Sequence, residues 1–208
     1  MRVASVRIVL ATANPDKARE IEDLLDGFEV VARPASLPDV EETGATLVEN
    51  ALLKARAVCD ATGEPAVADD TGLEVDALDG APGVFSARFA GPAATYEENV
   101  AKLLAALDGV PPGSRRARFR TVAAACFPDG REVVAEGEVE GAITDARRGT
   151  GGFGYDAVFV PDDGDGRTFA EMTLAEKQAV SHRARAFSAL AVALLVVRSR
   201  PDDGVSFH

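Results

Sequence analysis

The sequence predicts an α/β fold in which helices flank a mixed β-sheet. Three observations support this prediction. Strand-like and helix-like patterns alternate along the chain, some strands are separated by whole helices, and two others are joined by a short hairpin, so both parallel and antiparallel pairing are expected. The composition, 47% apolar and 27% charged over 208 residues, is that of one ordinary globular domain.

The N-terminal part of the chain predicts a strand, a helix and a second strand. Residues 6–11 form a short apolar run that is typical of a buried strand. Asn14 as the N-cap and Pro15 at the first helical position predict the start of a helix, and Gly27 can end it. Residues 28–32 predict the next strand.

Three further helices are predicted by one N-terminal motif, the capping box Thr-x-x-Glu. In this motif the threonine and glutamate side chains each accept a hydrogen bond from a backbone N–H of the other end of the box. The motif occurs at Thr46 and Glu49, at Thr95 and Glu98, and at Thr173 and Glu176. Gly63 and Gly109 are suited to end the first two of these helices.

Two pairs of strands are predicted in the middle of the chain. Residues 65–69 and 73–75 predict two short strands on either side of a polar turn. Residues 118–127 and 132–138 flank the sequence Pro-Asp-Gly at 128–130, which predicts a hairpin.

The C-terminal part predicts one more strand, over residues 157–160, and a last helix. That helix is expected to start at Ser181 and to stop at Pro201. We expect residues 1–200 to form a single domain and residues 201–208 to form a flexible tail.

The charge balance and the counts of reactive residues exclude several functional classes. Against 34 acidic residues there are 22 Lys and Arg, and the net charge of −12 argues against a nucleic-acid partner. Two cysteines make no disulfide scaffold or zinc motif, and two histidines make no multi-histidine metal site. No apolar run approaches the roughly 18 residues of a membrane span, and no signal peptide is evident, so we expect a cytoplasmic protein.

Residues 12–17, with the sequence Thr-Ala-Asn-Pro-Asp-Lys, predict a phosphate site between the first strand and the first helix. A helix N-terminus presents free N–H groups and the positive end of its dipole. Lys17 adds a full positive charge there, although a lysine in a first turn opposes the dipole. The plainer alternative is a capped surface helix with a solvated lysine. The chain has four lysines, and three lie in candidate segments, namely Lys17, Lys54 and Lys177.

Acidic residues cluster at positions 41–42 and 69–70. Mg²⁺ is usually held by one or two carboxylates together with substrate phosphates and water. Asp69 and Asp70, at the end of a predicted strand, favour such a site over the alternative of an Asx turn. Two adjacent carboxylates repel each other, so we expect a cation to compensate them. For Glu42 a solvated loop charge is the favoured interpretation.

Two later segments are suited to nucleoside recognition. The glycine-rich run 149–154 leads into a predicted strand instead of opening a helix, so it is not a dinucleotide fingerprint. On such a loop Phe153 can stack on a base, or it can be a core residue. His182 and Arg183, at the start of the last helix, offer hydrogen-bond donors for carbonyl oxygens of a base, with surface solvation as the alternative.

Five segments, taken together, carry a family resemblance over nearly the whole chain. They read TANPDK, EETGATLVENALLKAR, ADDTGLEVDALDGAPGVFSARFAG, GTGGFGYDAVFVP and EMTLAEKQAVSHRARA. In this order and spacing the chain resembles the inosine/xanthosine triphosphate pyrophosphatase family, in its bacterial dITP/XTP pyrophosphatase branch. The resemblance implies hydrolysis of ITP, dITP and XTP to the monophosphate and pyrophosphate, a Mg²⁺ requirement, a homodimer, and an elongated mixed sheet with the active cleft between two lobes.

The resemblance also implies roles for individual residues. Asp70 matches the family's proton acceptor and, with Glu41, its metal ligands, and Asp69 has an auxiliary metal role. The phosphate, nucleotide and base contacts match Thr12, Ala13, Asn14, Pro15, Asp16, Lys17, Lys54, Thr71, Phe153, Gly154, Tyr155, Asp156, Lys177, His182 and Arg183. The chain departs from the family at Ala13, where glycine is frequent, and at Ala157, where proline is frequent. Neither departure removes a reactive group.

Two other functions stay open at this point. A nucleotide-binding regulator would keep the base contacts without turnover, although the carboxylates at positions 41 and 69–70 argue against it. A pyrophosphatase for modified pyrimidine nucleotides would share the metal and phosphate chemistry. It would not share the set formed by Lys177, His182 and Arg183.

Overall fold

The computed structural model describes residues 6–198, which form seven β-strands, five α-helices and four short 3₁₀ turns. The strands are β1 (Val6–Leu10), β2 (Phe28–Val31), β3 (Ala66–Val75), β4 (Pro82–Gly83), β5 (Arg116–Cys126), β6 (Glu132–Ile143) and β7 (Phe159–Pro161). The helices are α1 (Pro15–Leu24), α2 (Leu47–Thr62), α3 (Tyr96–Ala106), α4 (Leu174–Val180) and α5 (His182–Arg198). The predicted stop at Pro201, the predicted tail and the ends of the predicted domain lie outside the described residues.

The strands of the described part all join one mixed sheet, which confirms the predicted fold class. Their order is β2-β1-β3-β5-β6-β7, and β4 pairs with β3 outside this path. β1 is parallel to β2 and to β3, because α1 connects β1 to β2 and α2 connects β2 to β3. The neighbouring strands β3, β5, β6 and β7 pair antiparallel. The hairpin of β5 and β6, 11 and 12 residues long, makes the sheet elongated.

The helices begin where the sequence predicts, because their caps depend on neighbouring residues only. Asn14 Oδ1 accepts hydrogen bonds from the backbone N–H groups of Asp16 and Lys17, at 2.9 and 3.3 Å. The capping boxes at the starts of α2, α3 and α4 are all formed. The predicted last helix is also present, with Ser181 as the break between α4 and α5.

The prediction of two short strands around a polar turn at residues 70–72 is wrong. Ala66–Val75 is one unbroken strand, because each of its residues pairs with a residue of β5. Within it, Gly72 makes room for β4, since a Cβ at that position would lie 2.8 Å from the carbonyl oxygen of Gly83. The polar residues therefore lie inside a strand instead of in a turn.

β3 extends beyond the end of its parallel neighbour β1. The last residue of β1, Leu10, pairs with Val67, so Asp69 and Asp70 lie just past the point where β1 gives way to α1. Successive residues of a strand point to opposite faces of the sheet. The two carboxylates consequently face opposite sides, which the sequence prediction of a shared strand end did not distinguish.

Helices cover both faces of the sheet. Ala51 and Val58 of α2 belong to a core cluster on one face, and Ile21 of α1 and Phe187 of α5 belong to a cluster on the other. A third cluster, which includes Leu103 of α3, lies at the β7 end. Within residues 6–198 no single helix is long and apolar enough to cross a membrane, and α4 and α5 meet that test only together, as a pair bent by 67°.

A glycine in β6 brings the first turn of α5 onto the sheet. A Cβ on Gly137 would lie 2.2 Å from the carbonyl oxygen of His182 and 2.4 Å from the backbone nitrogen of Ala186. Gly137 pairs directly with Thr121 of β5. This close approach therefore seats His182 next to Thr121.

Candidate active site

A cleft opens beside the end of β1 and encloses about 740 Å³, open solvent at its mouth included. Side chains of the central strands β3 and β5 line it, together with residues from the starts of α1, α3 and α5 and from the loop before β7. The predicted site residues that line it are Asn14, Lys17, Asp70, Thr71, Phe153, Gly154, Tyr155, Asp156, Lys177, His182 and Arg183. Lining residues that sequence reasoning missed include Glu42, Ser86, Tyr96, Asn99 and Phe119.

The N-terminus of α1 reaches the cleft through two of its predicted residues. Lys17 Nζ lies 3.2 Å from Asp69 Oδ2, and Asn14 Nδ2 donates a 2.7 Å hydrogen bond to the hydroxyl of Tyr96. Burial lowers the pKa of Lys17, although Asp69 opposes this shift. The interpretation of Lys17 as a solvated surface lysine is therefore wrong.

The rest of the predicted phosphate segment does not line this cleft. Thr12 and Ala13 line a separate neighbouring cavity, together with Arg33. Asp16 pairs with Arg19 at the surface, with Nη2 and Oδ1 2.8 Å apart. The backbone N–H groups of Asp16 and Lys17 already donate to Asn14 Oδ1. The Lys17 ammonium and the positive end of the helix dipole are therefore the parts of this segment that a phosphate chain in the cleft could meet.

Lys54 of α2 is held between two carboxylates that converge on it. Its Nζ lies 2.7 Å from Glu42 Oε1 and 2.9 Å from Asp70 Oδ1, and Asn50 Nδ2 donates to Asp70 Oδ2 at 3.2 Å. Burial raises the pKa of the Asp70 carboxyl despite the attraction of Lys54. Asp70 is therefore a stronger base than an exposed aspartate.

Glu42, and not Glu41, faces the cleft. Glu42 is half-buried and accepts hydrogen bonds from Lys54 and, at 3.1 Å, from Arg88 Nη1. Glu41 is exposed and does not line the cleft. The interpretation of Glu42 as a solvated loop charge is wrong, because its carboxylate pairs with two cations, Lys54 and Arg88. The structure does not bring Glu41 to the other predicted metal ligands.

A chain of buried charges joins β3 to helices α1, α4 and α5. Asp69 Oδ2 accepts hydrogen bonds from Arg183 Nε and Nη2 at 3.3 and 3.2 Å. Glu20 accepts from Arg183 Nη1 and, at 2.7 Å, from Lys177 Nζ, which also donates to Asp156 Oδ2 at 2.6 Å. Each of the two cations thus has two carboxylate partners, as buried charges require.

Asp69 has its own cations, so the expected repulsion from Asp70 is absent. Burial acts to raise the pKa of Asp69, but Lys17 and Arg183 outweigh it and hold that pKa well below its usual range. The carboxylate is therefore ionised at neutral pH. Its other oxygen, Oδ1, is buried and has no hydrogen-bond partner among the described residues.

The glycine-rich loop presents Phe153 to the cleft, which supports its interpretation as a ligand-facing residue. Its ring centroid lies 5.8 Å from that of Tyr96, and Lys177 Nζ lies 4.9 Å from the Phe153 centroid. Asp156 Oδ2 accepts a 2.9 Å hydrogen bond from the backbone N–H of Phe153 and fixes the turn. The following strand begins at Phe159, two residues later than predicted, because residues 154–158 form a turn.

His182 and Arg183 are buried, so their interpretation as solvated surface residues is wrong. The His182 ring stacks on Phe119 with centroids 4.5 Å apart, and its Nδ1 lies 2.6 Å from Thr121 Oγ1. Burial, together with the charges of Arg183 and Lys177, lowers the pKa of His182 well below its usual 6.5. The imidazole is therefore neutral at neutral pH.

Sequence reasoning missed the buried carboxylate at the centre of this site, Glu20. Glu20 precedes the core residue Ile21 in α1, and this position next to the apolar face of the helix was the one feature of the sequence that could have indicated its burial. Its pairing with Lys177, 157 positions away, could not be read from local sequence. Tyr96 likewise follows a recognised cap, but nothing nearby marks it as a lining residue.

Comparisons with known proteins agree on one family. A model of the Ham1 family matches residues 8–193. The dITP/XTP pyrophosphatase of Caulobacter vibrioides is 50% identical over 190 residues, covering 90% of this chain and 97% of the relative. That of Symbiobacterium thermophilum is 51% identical over 184 residues, covering 88% and 91%. The solved structure of a HAM1 protein from Coxiella burnetii superposes with a TM-score of 0.81 at 42% identity, covering 92% and 99%.

Proposed function

The chain belongs to the Ham1 family, which confirms the resemblance seen in its sequence, and on this premise we propose that it hydrolyses non-standard purine nucleoside triphosphates. The substrates are ITP, dITP and XTP, and the products are the monophosphate and pyrophosphate. Named relatives with about half of their residues identical support this proposal, since they are dITP/XTP pyrophosphatases. The enzyme would remove these nucleotides from the pool.

One observation carries the proposal, namely that a phosphate-binding end and a base-binding end share the same cleft. Lys17 and the N-terminus of α1 provide positive charge at one end, where Lys54 also pairs with the lining carboxylates of Glu42 and Asp70. The Phe153 ring and the His182 imidazole provide stacking and hydrogen-bonding groups at the other. A protein with a net charge of −12 needs such local cations to hold a polyphosphate.

The hydrolysis assigns a proton-accepting role to Asp70. Water attacks the α-phosphorus, the bond from that phosphorus to the oxygen bridging the α- and β-phosphates breaks, and pyrophosphate leaves with that oxygen. The Asp70 carboxylate takes up the proton that the water loses. Asn50 and Lys54 hold this carboxylate by hydrogen bonds to Oδ2 and Oδ1, so it stays oriented toward the cleft. Lys17 steadies the phosphate chain and stabilises the charge that develops on it.

We also propose that Mg²⁺ binds beside the phosphates, held by Asp70 and Glu42. The donor set fits, because the two carboxylates already converge on one cation, Lys54 Nζ, and face the cleft where phosphate oxygens would complete the coordination. Asp69, the auxiliary ligand that the resemblance implies, points to the opposite face of the sheet from Asp70 and pairs with Lys17 and Arg183. The described residues contain no cluster of three or more His, Cys, Asp or Glu in metal-binding geometry. A bound Mg²⁺ would neutralise part of the negative charge of the phosphates.

We expect ITP and XTP to be hydrolysed far faster than ATP. Hydrogen-bond donors at His182 and Arg183 suit the 6-oxo group of hypoxanthine and xanthine, whereas the 6-amino group of adenine would meet them donor to donor. A site built to hydrogen-bond one group discriminates strongly against a partner that cannot pair. Comparable kcat/KM values for ATP and ITP, measured under identical conditions, would contradict this selection.

The test is a screen of purified protein against purine and pyrimidine nucleoside triphosphates, with pyrophosphate release as the readout. Reactions with Mg²⁺ are compared with reactions in which EDTA removes it. Binding without pyrophosphate release would favour the nucleotide-binding regulator, and turnover of modified pyrimidines only would favour the pyrimidine enzyme. Turnover that is equal in EDTA would contradict the Mg²⁺ proposal alone.

Lys17→Ala is expected to raise KM for ITP by roughly tenfold or more, because a charged hydrogen bond to phosphate is lost. The fold should persist, since Asp69 keeps its bonds to Arg183. Lys102→Ala is the matched control, because Lys102 is exposed on α3 and does not line the cleft. If Lys17→Ala left both KM and kcat unchanged, the phosphate role of Lys17 would be refuted.

We propose two further features, of which the first comes from the family resemblance alone. The first is a homodimer, which analytical ultracentrifugation of the purified chain would test. The second is a cytoplasmic location, which the substrate class supports because nucleoside triphosphates are made and used there.

A further inference from the structure

Two threonine hydroxyls link β3 to the histidine that lines the cleft. Thr71 Oγ1 lies 2.7 Å from Thr121 Oγ1, and Thr121 Oγ1 lies 2.6 Å from His182 Nδ1. Arg183 Nη2 donates to Thr71 Oγ1 at 3.2 Å. Thr121 is fully buried and does not line the cleft, so it contacts His182 from behind.

The position of the His182 ring is determined by its surroundings in the sheet. One face of the ring stacks on Phe119, two residues before Thr121 on the same side of β5. The backbone of His182 packs on Gly137, the cross-strand partner of Thr121, where no side chain would fit. The contact between Thr121 and Nδ1 is therefore a consequence of packing that leaves the ring little freedom.

The contact distances determine the direction of the hydrogen bonds. A hydroxyl has one proton to donate, and Thr71 Oγ1 has two acceptors in reach, Thr121 Oγ1 at 2.7 Å and Asp69 Oδ2 at 3.1 Å. The first distance is typical of an O–H···O bond and the second exceeds the usual range. Asp69 Oδ2 already accepts from Arg183 and faces Lys17, so it does not require the hydroxyl proton.

With Thr71 donating to Thr121, the Thr121 hydroxyl still has its own proton to place, and among the described residues His182 Nδ1 is the other group within hydrogen-bond distance of it. Thr121 then donates its own proton to His182 Nδ1, which must be unprotonated to accept it. A neutral imidazole carries its proton on the other nitrogen, Nε2, for which the described residues provide no partner. The low pKa of His182 agrees with a neutral ring. The Nε2–H group is thus available as a donor to a ligand in the cleft.

We propose that Thr121 is a positioning residue that sets the tautomer of His182 and so makes the cleft a hydrogen-bond donor toward the 6-oxo group of a purine. The chain of bonds runs from Arg183 through Thr71 and Thr121 to His182, with every donor pointing toward the ring. If these hydrogen bonds ran in the opposite direction, Nδ1 would carry the proton and Nε2 would be unprotonated. An unprotonated Nε2 would accept a hydrogen bond from the amino group of adenine. The role in specificity rests on the proposed function, whereas the tautomer does not.

The tautomer is measured by ¹⁵N NMR of the imidazole nitrogens in the protein without nucleotide. The chain has two histidines, His182 and His208, so a His208→Gln variant assigns the signals. We expect the Nε2–H tautomer in the wild type and in Thr121→Ser, which keeps the hydroxyl. In Thr121→Val, which keeps the shape but has no donor, both tautomers are expected. A wild-type protein with the proton on Nδ1 would overturn the proposal.

The effect on specificity is measured with the same two variants. Thr121→Val is expected to lower the ratio of kcat/KM for ITP to that for ATP by roughly tenfold, the effect of one lost hydrogen bond of about 1.4 kcal/mol. Thr121→Ser, with the hydroxyl restored, should retain the wild-type ratio. A wild-type ratio in Thr121→Val, with its fold verified by thermal melting, would refute the role in specificity. If the wild type released no pyrophosphate from any purine, the proposed function would fail, and NMR would still decide the tautomer.

Discussion

Asp70→Asn is expected to lower kcat for ITP by at least roughly 10²-fold, the lower end of the effect of losing a general base. Asparagine keeps the size of the side chain and an oxygen that can accept from Lys54 Nζ, 2.9 Å from Oδ1 in the wild type. It lacks the charge and the basicity that proton uptake from water requires. Steady-state pyrophosphate release with Mg²⁺ present is the measurement.

A matched variant separates loss of the base from a general effect of replacing an aspartate. Asp108→Asn changes an exposed residue that does not line the cleft, and it should leave kcat unchanged. If Asp70→Asn retained near-normal turnover, proton acceptance would have to be assigned to another group. Glu42, the other carboxylate on Lys54, would then be the first to test.

The stability of Asp70→Asn follows from the placement of the neighbouring carboxylates. From the sequence, a relieved repulsion between Asp69 and Asp70 would leave the stability of the metal-free variant level or raise it. In the structure Asp70 pairs with Lys54 and Asn50, while Asp69 pairs with Arg183, so there is no such repulsion to relieve. Burial still raises the pKa of Asp70, so folding disfavours its charged form at neutral pH. We therefore expect neutral asparagine to leave the free energy of unfolding unchanged or to raise it, and thermal or urea melts would measure this.

Glu20→Gln is expected to lower the free energy of unfolding by about 3–5 kcal/mol, because it leaves two buried cations with fewer carboxylates. Glu20 is 7% exposed, and its oxygens accept from Lys177 and Arg183. Urea denaturation at neutral pH measures the change. Glu22→Gln is the control on the same helix, since Glu22 is exposed. If the two variants had equal free energies of unfolding, Glu20 would not be needed to stabilise the buried charges of Lys177 and Arg183.

The pH dependence of the same pair of proteins gives an independent check. Burial acts to raise the pKa of Glu20, but Arg183 and Lys177 outweigh it and lower the pKa below its usual 4.5. A carboxylate with a lowered pKa in the folded state adds stability above its unfolded pKa, and this stability is lost as the pH falls through the folded pKa. The difference between wild type and Glu20→Gln should therefore be largest near neutral pH and shrink below pH 4.5.

The sequence by itself determined the features that depend on neighbouring residues. The N-cap at Asn14, the three Thr-x-x-Glu capping boxes and the hairpin at residues 128–130 all form as predicted. Each of these needs only backbone and side-chain groups a few positions apart, so no tertiary contact has to be known. The order of the five motif segments likewise identified the family, and most of its expected site residues line one cleft.

The tertiary structure decided which of these residues pair with one another. Whether residues 70–72 turn or continue as a strand depends on their pairing with β5, about 50 positions away. The choice of Glu42 over Glu41, the burial of Glu20 and the contact between Thr121 and His182 also depend on partners from distant segments. Local sequence specifies the type of each side chain. The energy of a buried charge or hydrogen bond depends on the groups that packing brings within about 3 Å of it.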